Sequence, residues 1–196
     1  MATRVGVLAV QGDVEAHGRS LRAIGCEPVP VLWDRDLDSV EALILPGGES
    51  TTISKGIARQ GLHEALKRYA SSGRPVLGTC AGAILLAARV EARSGDEAVH
   101  SFATLDITAR RNAYGTQVDS FAAEADLGGL EELAGLRCVF IRAPELSELG
   151  PGVETLLRVE GRPVLVRQGP VLAASFHPEL TEDTRIHRLL LSAGLA

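Results

Sequence analysis

The chain has 196 residues, of which 45% are hydrophobic and 23% are charged, and its formal net charge is −5. This length and composition are those of one globular unit with a full hydrophobic core, so we expect a single domain over residues 1–196. The acidic balance and the lack of a basic cluster argue against nucleic-acid binding. No apolar stretch approaches the roughly 18 residues of a membrane-spanning helix, which argues against a membrane protein.

The three cysteines, Cys26, Cys80 and Cys138, are an odd number and include no close pair. Such usage is typical of a reducing compartment and provides neither a disulfide framework nor a zinc site. The first residues lead directly into a strand-like segment and lack the apolar block of a signal peptide. The sequence therefore predicts a cytoplasmic protein.

The first half of the chain alternates strand-like and helix-like runs. The predicted strands are residues 4–10, 28–32, 42–45 and 75–79; the predicted helices are residues 14–24, 50–59 and 62–71, with a further helix starting in residues 83–88. This βαβ alternation predicts an α/β fold with a mostly parallel central sheet and flanking helices.

The second half has shorter strand-like runs with close turns, which predicts a more antiparallel arrangement. A turn at Gly161-Arg162 is expected to form a hairpin, and residues 181–192 are expected to form a closing helix. The predicted strands are residues 104–110, 117–123, 138–142, 153–160, 163–167 and 171–176.

One predicted strand-to-helix turn carries a cysteine between two glycines, in residues 78–82 (Gly-Thr-Cys-Ala-Gly). This is the pattern of a nucleophile elbow with Cys80 in place of serine. Backbone segments approach closely at such a turn, so Gly78 and Gly82 must be small. The N-terminus of the following helix favours a thiolate. The alternative is an inert core cysteine, which is our interpretation of Cys26 and Cys138.

A cysteine nucleophile requires a base and a group that orients the base. His177 follows an apolar strand, where an α/β fold places its active-site loops, and Glu179 is two residues further on. In an extended segment these two side chains lie on the same face, so Glu179 can accept a hydrogen bond from the imidazole. Pro178 favours the extended conformation. The alternative is a histidine that only ends a strand.

The other histidines give weaker signals. His17, His63 and His187 lie in helix-like segments among charged neighbours, which predicts solvent-exposed side chains. His100 lies in an irregular stretch, and we expect it to be exposed as well.

Thiolate attack on a carbonyl creates an oxyanion that needs N–H donors. The amide of Ala81, directly after Cys80, is one candidate. Gly47 and Gly48 follow a predicted strand and can supply a second donor, because glycine lets the backbone approach a ligand closely. The same loop also suits an ordinary turn in which Ser50 caps the next helix.

Two predicted strand ends place an arginine where a binding pocket would need one. Arg111 follows one strand, and Arg142 ends another, directly after Ile141. A guanidinium group binds a carboxylate through two hydrogen bonds, so either arginine suits the α-carboxylate of an amino acid. For any single arginine, a solvent-exposed surface position is the commoner case.

The motifs at residues 46–48 (Pro-Gly-Gly), 78–82 and 177–179 (His-Pro-Glu) occur in the order typical of class I glutamine amidotransferases, and the chain resembles that family. More narrowly, it is similar to the glutaminase subunits of pyridoxal 5′-phosphate synthase. The motifs for this narrower resemblance span nearly the whole chain: residues 10–13, 45–52, 111–115, 140–144 and 175–180. The resemblance implies a three-layer α/β fold.

The resemblance also implies an activity, the hydrolysis of L-glutamine to L-glutamate and ammonia. Cys80 would be the nucleophile, and His177 and Glu179 would complete a catalytic triad. No metal or cofactor is implied. The residues that the resemblance assigns to glutamine binding are Gly47, Gly48, Glu49, Arg111, Ile141 and Arg142.

A division of labour between two subunits follows from the same resemblance. The ammonia would pass to a separate (β/α)8-barrel synthase subunit, which condenses it with a pentose phosphate and a triose phosphate. Twelve glutaminases would decorate a dodecameric synthase core, and the glutaminase would be nearly silent until it docks.

Two residues depart from the family pattern: Tyr114 stands where phenylalanine is usual, and Thr116 where arginine is usual. The lost charge could alter a contact to substrate or partner. Two alternative functions stay open. One is a glutaminase for a different synthase, against which Gln11-Gly12 and residues 111–115 argue. The other is a non-catalytic α/β protein, against which the distal His177 and Glu179 argue.

Overall fold

The computed structural model describes residues 2–92, 95–111, 120–127 and 130–194. The helices in these residues are α1 (Val14–Ala23), α2 (Ser50–Arg59), α3 (His63–Ala70), α4 (Ala81–Leu86) and α5 (Arg185–Ser192). Short 3₁₀ turns lie at Asp34–Ser39, Glu131–Leu133 and Pro178–Leu180. The strands are β1 (Arg4–Leu8), β2 (Glu27–Val31), β3 (Ala42–Leu45), β4 (Val76–Thr79), β5 (Ala87–Glu91), β6 (Leu105–Arg110), β7 (Phe121–Glu124), β8 (Asp126–Leu127), β9 (Arg137–Phe140), β10 (Glu145–Ser147), β11 (Glu154–Val159), β12 (Arg162–Gln168) and β13 (Val171–Ala174).

Eight strands form the central sheet, in the order β2-β1-β3-β4-β13-β12-β11-β8. The strands from β2 to β13 pair in parallel, and the strands from β13 to β8 pair antiparallel. Two smaller sheets, β10-β6-β5 and β7-β9, lie outside it. The predicted α/β fold, with a mostly parallel sheet and a more antiparallel second half, is confirmed.

Strand β3 illustrates how the sheet is covered on both faces. Its four residues are buried, and their side chains alternate between two clusters. Leu43 and Leu45 pack in the cluster that includes residues of α2, α3 and α4, whereas Ala42 and Ile44 pack with residues of α1 and α5. Burial of each leucine or isoleucine contributes roughly 1.5–3 kcal/mol. This two-sided burial gives three layers, with helices above and below the sheet.

The parallel part of the sheet determines where a site can form. The carboxyl ends of β1, β3, β4 and β13 lie at one edge, because parallel strands point the same way. The loops that follow these strands carry residues 9–13, 46–49, 80 and 175–177. Ligands of open α/β sheets bind at this edge.

Several predicted boundaries are wrong. Helix α4 begins at Ala81 and ends at Leu86, and the unpredicted strand β5 follows at once because it pairs with β6. Strand β10 was also not predicted. Of the segment predicted as a strand at residues 117–123, residues 117–119 lie outside the described part of the chain. The closing helix begins at Arg185 rather than at residue 181, since the Pro178–Leu180 turn precedes it.

The hairpin between β11 and β12 is present, but its turn residues are Glu160 and Gly161 rather than Gly161 and Arg162. Both have positive φ angles, +50° and +77°. Two such residues make a type I′ turn, which matches the twist of antiparallel strands.

In the part of the chain that the structure describes, no helix combines the length and the apolar character that crossing a membrane requires.

Candidate active site

Cys80 sits in a sharp turn between β4 and α4. Its backbone angles, φ +48° and ψ −103°, are rare for any residue except glycine. The Cys80 N–H donates to the carbonyl of Ala174 at 2.8 Å, and its carbonyl accepts from the N–H of Ala83 at 3.1 Å. Cys80 is 6% exposed, and its Sγ lies 3.8 Å from the carbonyl oxygen of Ile141. The predicted elbow geometry is therefore present.

The two glycines beside Cys80 permit this turn. A Cβ atom on Gly78 would lie 2.5 Å from the carbonyl oxygen of Gly82. A Cβ atom on Gly82 would collide with the carbonyl oxygen of Leu45 in β3. Both obstacles are backbone atoms, so neither can rotate away. The sequence-based requirement for small residues is confirmed.

His177 and Glu179 are buried together at the end of β13. His177 Nδ1 lies 2.7 Å from Glu179 Oε1, and both residues are 4% exposed. The predicted extended conformation is wrong, because Pro178–Leu180 forms a 3₁₀ turn with His177 as its N-cap. Proline fits the first position of such a turn, where its missing N–H costs nothing. The two side chains therefore meet across a turn and not along an extended segment.

The protonation of His177 follows from its surroundings. Burial by itself would lower the pKa of His177, but hydrogen bonding to Cys80 and Glu179, and the charges of these groups, raise it to about 10. An opposite charge stabilises the protonated imidazole. The arrangement therefore favours a protonated imidazole at His177, between Cys80 and Glu179.

The glycine loop after β3 packs directly against His177 and Cys80. A Cβ atom on Gly47 would collide with Cε1 of His177 and would lie 3.3 Å from Cβ of Cys80. The Gly47 carbonyl accepts from the Asp13 N–H at 3.4 Å, so the Gly48 N–H of the same planar peptide points away from Asp13. Gly48 has φ +149°, a conformation that favours glycine. The loop thus requires both glycines.

The residue that caps helix α2 is Glu49, not Ser50 as the alternative interpretation of the loop expected. Its carboxylate accepts from the backbone N–H groups of Thr51 and Thr52 at 3.1 and 2.6 Å, and from the Thr52 hydroxyl at 2.7 Å. Partial burial would raise the pKa of Glu49, but these hydrogen bonds lower it to about 2. Glu49 is therefore a fixed negative charge beside the loop, and Ser50 is the first helical residue.

Arg111 and Arg142 differ in burial. Arg111 is 8% exposed and donates to the carbonyl of Glu97 at 2.8 Å and to Oγ1 of Thr51 at 3.1 Å. Arg142 is exposed and lies beyond the end of β9, which stops at Phe140 rather than at residue 142. Its φ angle of +46° marks a sharp bend after Ile141.

These side chains surround one pocket of about 290 Å³. That volume is at the small end of ligand pockets, which suits a molecule the size of an amino acid. The pocket brings together most of the residues predicted from the sequence: Gly48, Glu49, Cys80, Ala81, Arg111, Ile141, Arg142 and His177. Gln11, Asp13, Ser50 and Ile84 also line it.

The SNO glutamine amidotransferase family matches residues 7–194 of this chain. A relative from Acidothermus cellulolyticus, named pyridoxal 5′-phosphate synthase subunit PdxT, is 51% identical over 195 residues, covering 96% of this chain and 92% of the relative. A relative of the same name from Roseiflexus castenholzii is 50% identical over 190 residues, covering 95% and 98%. The chain belongs to the SNO glutamine amidotransferase family.

Solved structures agree with this assignment. A crystal structure described as a glutamine amidotransferase is 44% identical, with a TM-score of 0.88 and coverage of 98% of this chain and 99% of that one. A structure of PurLQS from Thermotoga maritima is 19% identical, with a TM-score of 0.72 and coverage of 100% and 98%. At that identity the second likeness shows the fold alone.

Four lining residues of this SNO family member were missed as pocket residues: Gln11, Asp13, Ser50 and Ile84. Gln11 and Asp13 follow β1, and the Gln11 Oε1 accepts from the Glu49 N–H at 3.1 Å. The signal was their place in the loop after the first strand, which ends at the same sheet edge as β3 and β4. The departures at Tyr114 and Thr116 lie in residues 112–119, outside the described residues.

The exposed positions predicted for two histidines are wrong. His17 and His187 are both fully buried, because they lie on the core-facing sides of α1 and α5. A usable signal was present, since His187 follows Ile186 and precedes Leu190 by one helical turn. His63 is partly buried, whereas His100 is exposed as expected. Cys26 and Cys138 are core residues, as predicted.

Among the described residues, Asp13, His177 and Glu179 place possible metal-ligand atoms within 4.8 Å of one another. The hydrogen bond between His177 and Glu179 accounts for the proximity of that pair, and Asp13 Oδ2 lies 3.7 Å from His177 Nδ1. Acidic groups often cluster in this way without a metal, and we assign none to this site.

Proposed function

We propose that this chain hydrolyses L-glutamine to L-glutamate and ammonia through Cys80, His177 and Glu179, and delivers the ammonia to a synthase subunit that makes pyridoxal 5′-phosphate. The observation that supports the chemistry best is the buried His177–Glu179 pair beside a cysteine in an elbow turn. The names of the relatives support the pathway.

The reaction begins with attack of the Cys80 thiolate on the carboxamide carbon of glutamine. The oxyanion accepts hydrogen bonds from the Ala81 N–H and from the loop of Gly47 and Gly48. Protonated His177 gives its proton to the departing ammonia, which leaves a γ-glutamyl thioester on Cys80. Such acid catalysis contributes roughly 10²–10⁴-fold.

The second half of the reaction releases glutamate. Neutral His177 removes a proton from a water molecule, which attacks the thioester carbon and expels the Cys80 thiolate. His177 is then protonated again, and the resting ion pair is restored. Glu179 keeps the proton on Nδ1 throughout and directs Nε2 toward Cys80 and the substrate.

The pocket charges suit the amino-acid end of glutamine. Arg111 and Arg142, with the backbone at Ile141, would bind the α-carboxylate. Glu49 provides a negative charge for the α-ammonium group, and its low pKa keeps that charge across the physiological range. Arg111 and Glu49 lie 4.0 Å apart, so the two charges form one polar end of the pocket for the α-carboxylate and the α-ammonium group.

The proposed partner is a (β/α)8-barrel synthase, in a complex of twelve glutaminases and twelve synthases, and the proposed location is the cytoplasm. The proposed unit of function is the single domain of residues 1–196. The three cysteines without disulfides are compatible with a reducing compartment.

The test is ammonia release from L-glutamine by the purified chain, with and without the barrel synthase from the same source. We expect activity that rises on mixing and is absent from a Cys80→Ala variant that still docks. Strong activity of the chain alone would keep the chemistry but contradict control by docking. Activity that no barrel synthase stimulates would indicate a different synthase partner.

A further inference from the structure

Two buried histidines lie behind the proposed triad and have no role in the reaction described above. His17 in α1 and His187 in α5 are both 0% exposed. Buried imidazoles are costly unless their nitrogens are hydrogen-bonded. Two buried histidines therefore need specific hydrogen-bonding partners, which two core leucines would not.

The two rings continue the line of contacts that starts at Cys80. Glu179 Oε1 is bound to His177. The other oxygen, Oε2, lies 3.4 Å from His17 Nε2 but makes no hydrogen bond among the described residues. His17 Nε2 also lies 3.3 Å from Oγ1 of Thr79, the residue before Cys80. His17 Nδ1 lies 3.0 Å from His187 Nε2. The order is thus Cys80, His177, Glu179, His17 and His187.

Burial keeps both outer rings neutral. It lowers the pKa of His17 well below its usual value, and the nearby His187 and His177 lower it further. Burial also lowers the pKa of His187 to about 4. A neutral imidazole has one donor and one acceptor nitrogen, so the contacts can be assigned directions.

An unprotonated Nε2 of His17 would point a lone pair toward the buried Oε2 of Glu179, 3.4 Å away, so we assign the His17 proton to Nε2. His17 Nδ1 is then an acceptor, and His187 must donate to it from Nε2. His187 Nδ1 is left without a proton, and it has no hydrogen-bond partner among the described residues. Each position in the line has one consistent tautomer.

We propose that His17 and His187 are positioning residues that hold the second oxygen of Glu179, so that its first oxygen stays aligned with His177. The inference rests on the proposed function, because it assigns the pair a role in keeping the Cys80–His177 ion pair formed. His187 acts one step further out, by fixing the tautomer of His17. Without His187, the His17 ring could turn a lone pair toward the carboxylate.

The first test is the pH dependence of Cys80 alkylation by iodoacetamide, followed on the Cys80 peptide by mass spectrometry. The groups that face His17 are Glu179 and His177 beyond β13, His187 from α5 and Thr79 from β4. His177 itself also faces Asp13, whose Oδ2 lies 3.7 Å from its Nδ1. Loss of the donor in His17→Leu should weaken the ion pair and raise the midpoint pH of alkylation by about one unit. His17→Gln, which keeps a donor near the Nε2 position, should restore the wild-type midpoint.

His187→Leu should raise the midpoint by a smaller amount, and exposed His100→Leu should leave it unchanged. A purely structural role would lower the stability of these variants without moving the midpoint of the folded protein. The proposal would be overturned if folded His17→Leu kept the wild-type midpoint pH of Cys80 alkylation. If His17→Leu does not fold, a wild-type midpoint in His187→Leu would overturn it.

A second test needs no variant. Long-range ¹H–¹⁵N spectra of the wild-type chain report imidazole tautomers directly, and we expect the Nε2–H form for His17 and His187. The Nδ1–H form of His17 would overturn the proposal even if every variant failed to fold. A wild-type Cys80 that resists alkylation at every pH would instead contradict the proposed nucleophile and leave this tautomer test intact.

Discussion

His177 Nδ1 and Glu179 Oε1 are 2.7 Å apart in a turn that excludes most solvent. Only one residue separates them, and Pro178 at the start of the 3₁₀ turn restricts the backbone between them. The turn therefore keeps the backbone of Glu179 close to the imidazole, while the side-chain torsions of Glu179 decide how its carboxylate is aligned. Water competes weakly for this hydrogen bond, so the charge of Glu179 acts on His177 at nearly full strength.

Replacing that charge should change the pH dependence of ammonia release. The pKa of His177 is raised to about 10, so the imidazolium persists below that pH and is lost as pH rises through it. We expect the alkaline limb of kcat/KM for the docked wild-type enzyme near pH 10. Cys80 and, after it, Glu179 raise this pKa, so in Glu179→Gln the alkaline limb should move to lower pH and kcat should fall by roughly 10²-fold or more.

The matched control for this prediction is Glu182→Gln, an exposed carboxylate in the loop that follows. It should leave both kcat and the alkaline limb unchanged. An unshifted limb in folded Glu179→Gln would show that another group sets the alkaline limb.

Cys80 has a backbone conformation that suits glycine better than cysteine. Strain of this kind costs on the order of 1–3 kcal/mol and is retained where surrounding structure enforces it. Cys80→Ala keeps the strain, whereas Cys80→Gly removes it and loses less than 1 kcal/mol to added chain entropy. We expect Cys80→Gly to be the more stable variant, by about 1 kcal/mol in urea unfolding, although both should be inactive.

A glycine scan of neighbouring positions provides the control. Ala81→Gly, at the first residue of α4, should lower the free energy of unfolding because this residue has no positive φ to relieve. If Cys80→Gly is less stable than Cys80→Ala, the elbow stores no strain, and its geometry has no cost in stability.

The sequence could predict this site because its catalytic residues directly follow strands that can be recognised from the sequence. Cys80 and His177 are 97 residues apart, yet each follows a buried strand, and β4 and β13 are parallel neighbours. The contact of His177 with Glu179 was predicted, but through the wrong backbone, because proline is compatible with both an extended segment and a 3₁₀ turn.

The burial of His17 and His187 was predicted wrongly, although the apolar neighbours Ile186 and Leu190 indicated a core-facing side for His187. Charged neighbours in both helices suggested exposure, but only one side of each helix is solvent-facing. What decided the outcome was the close packing of α1 and α5 near the Pro178–Leu180 turn, which brings His17 to both His187 and Glu179. Contacts between residues 170 positions apart have no local signature.

Gly82 should be intolerant of even one added methyl group. Its Cβ would collide with the backbone of Leu45, so β3 and α4 would have to separate. We expect Gly82→Ala to lower the free energy of unfolding by about 3 kcal/mol, at the upper end of overpacking effects, in urea titration. Gly18→Ala is the control: its Cβ would meet only the flexible end of Arg22, so it should stabilise α1 by about 0.5–1 kcal/mol. Equal effects at the two positions would contradict the close approach.

Arg111 should contribute to glutamine binding rather than to the chemical steps. Its guanidinium donates to Thr51 and Glu97, and Arg111 lines the pocket. A lysine ammonium is one compact charge, so it cannot make both of these hydrogen bonds and also bind the carboxylate of glutamine. For Arg111→Lys in the docked complex, we expect KM for glutamine to rise about tenfold or more with kcat nearly unchanged. This is the result expected when the lost interaction binds the substrate and the transition state equally well. Adjacent Arg110→Lys, which is exposed and paired with Glu91, should match wild type. A fall in kcat alone would assign Arg111 to the reaction itself.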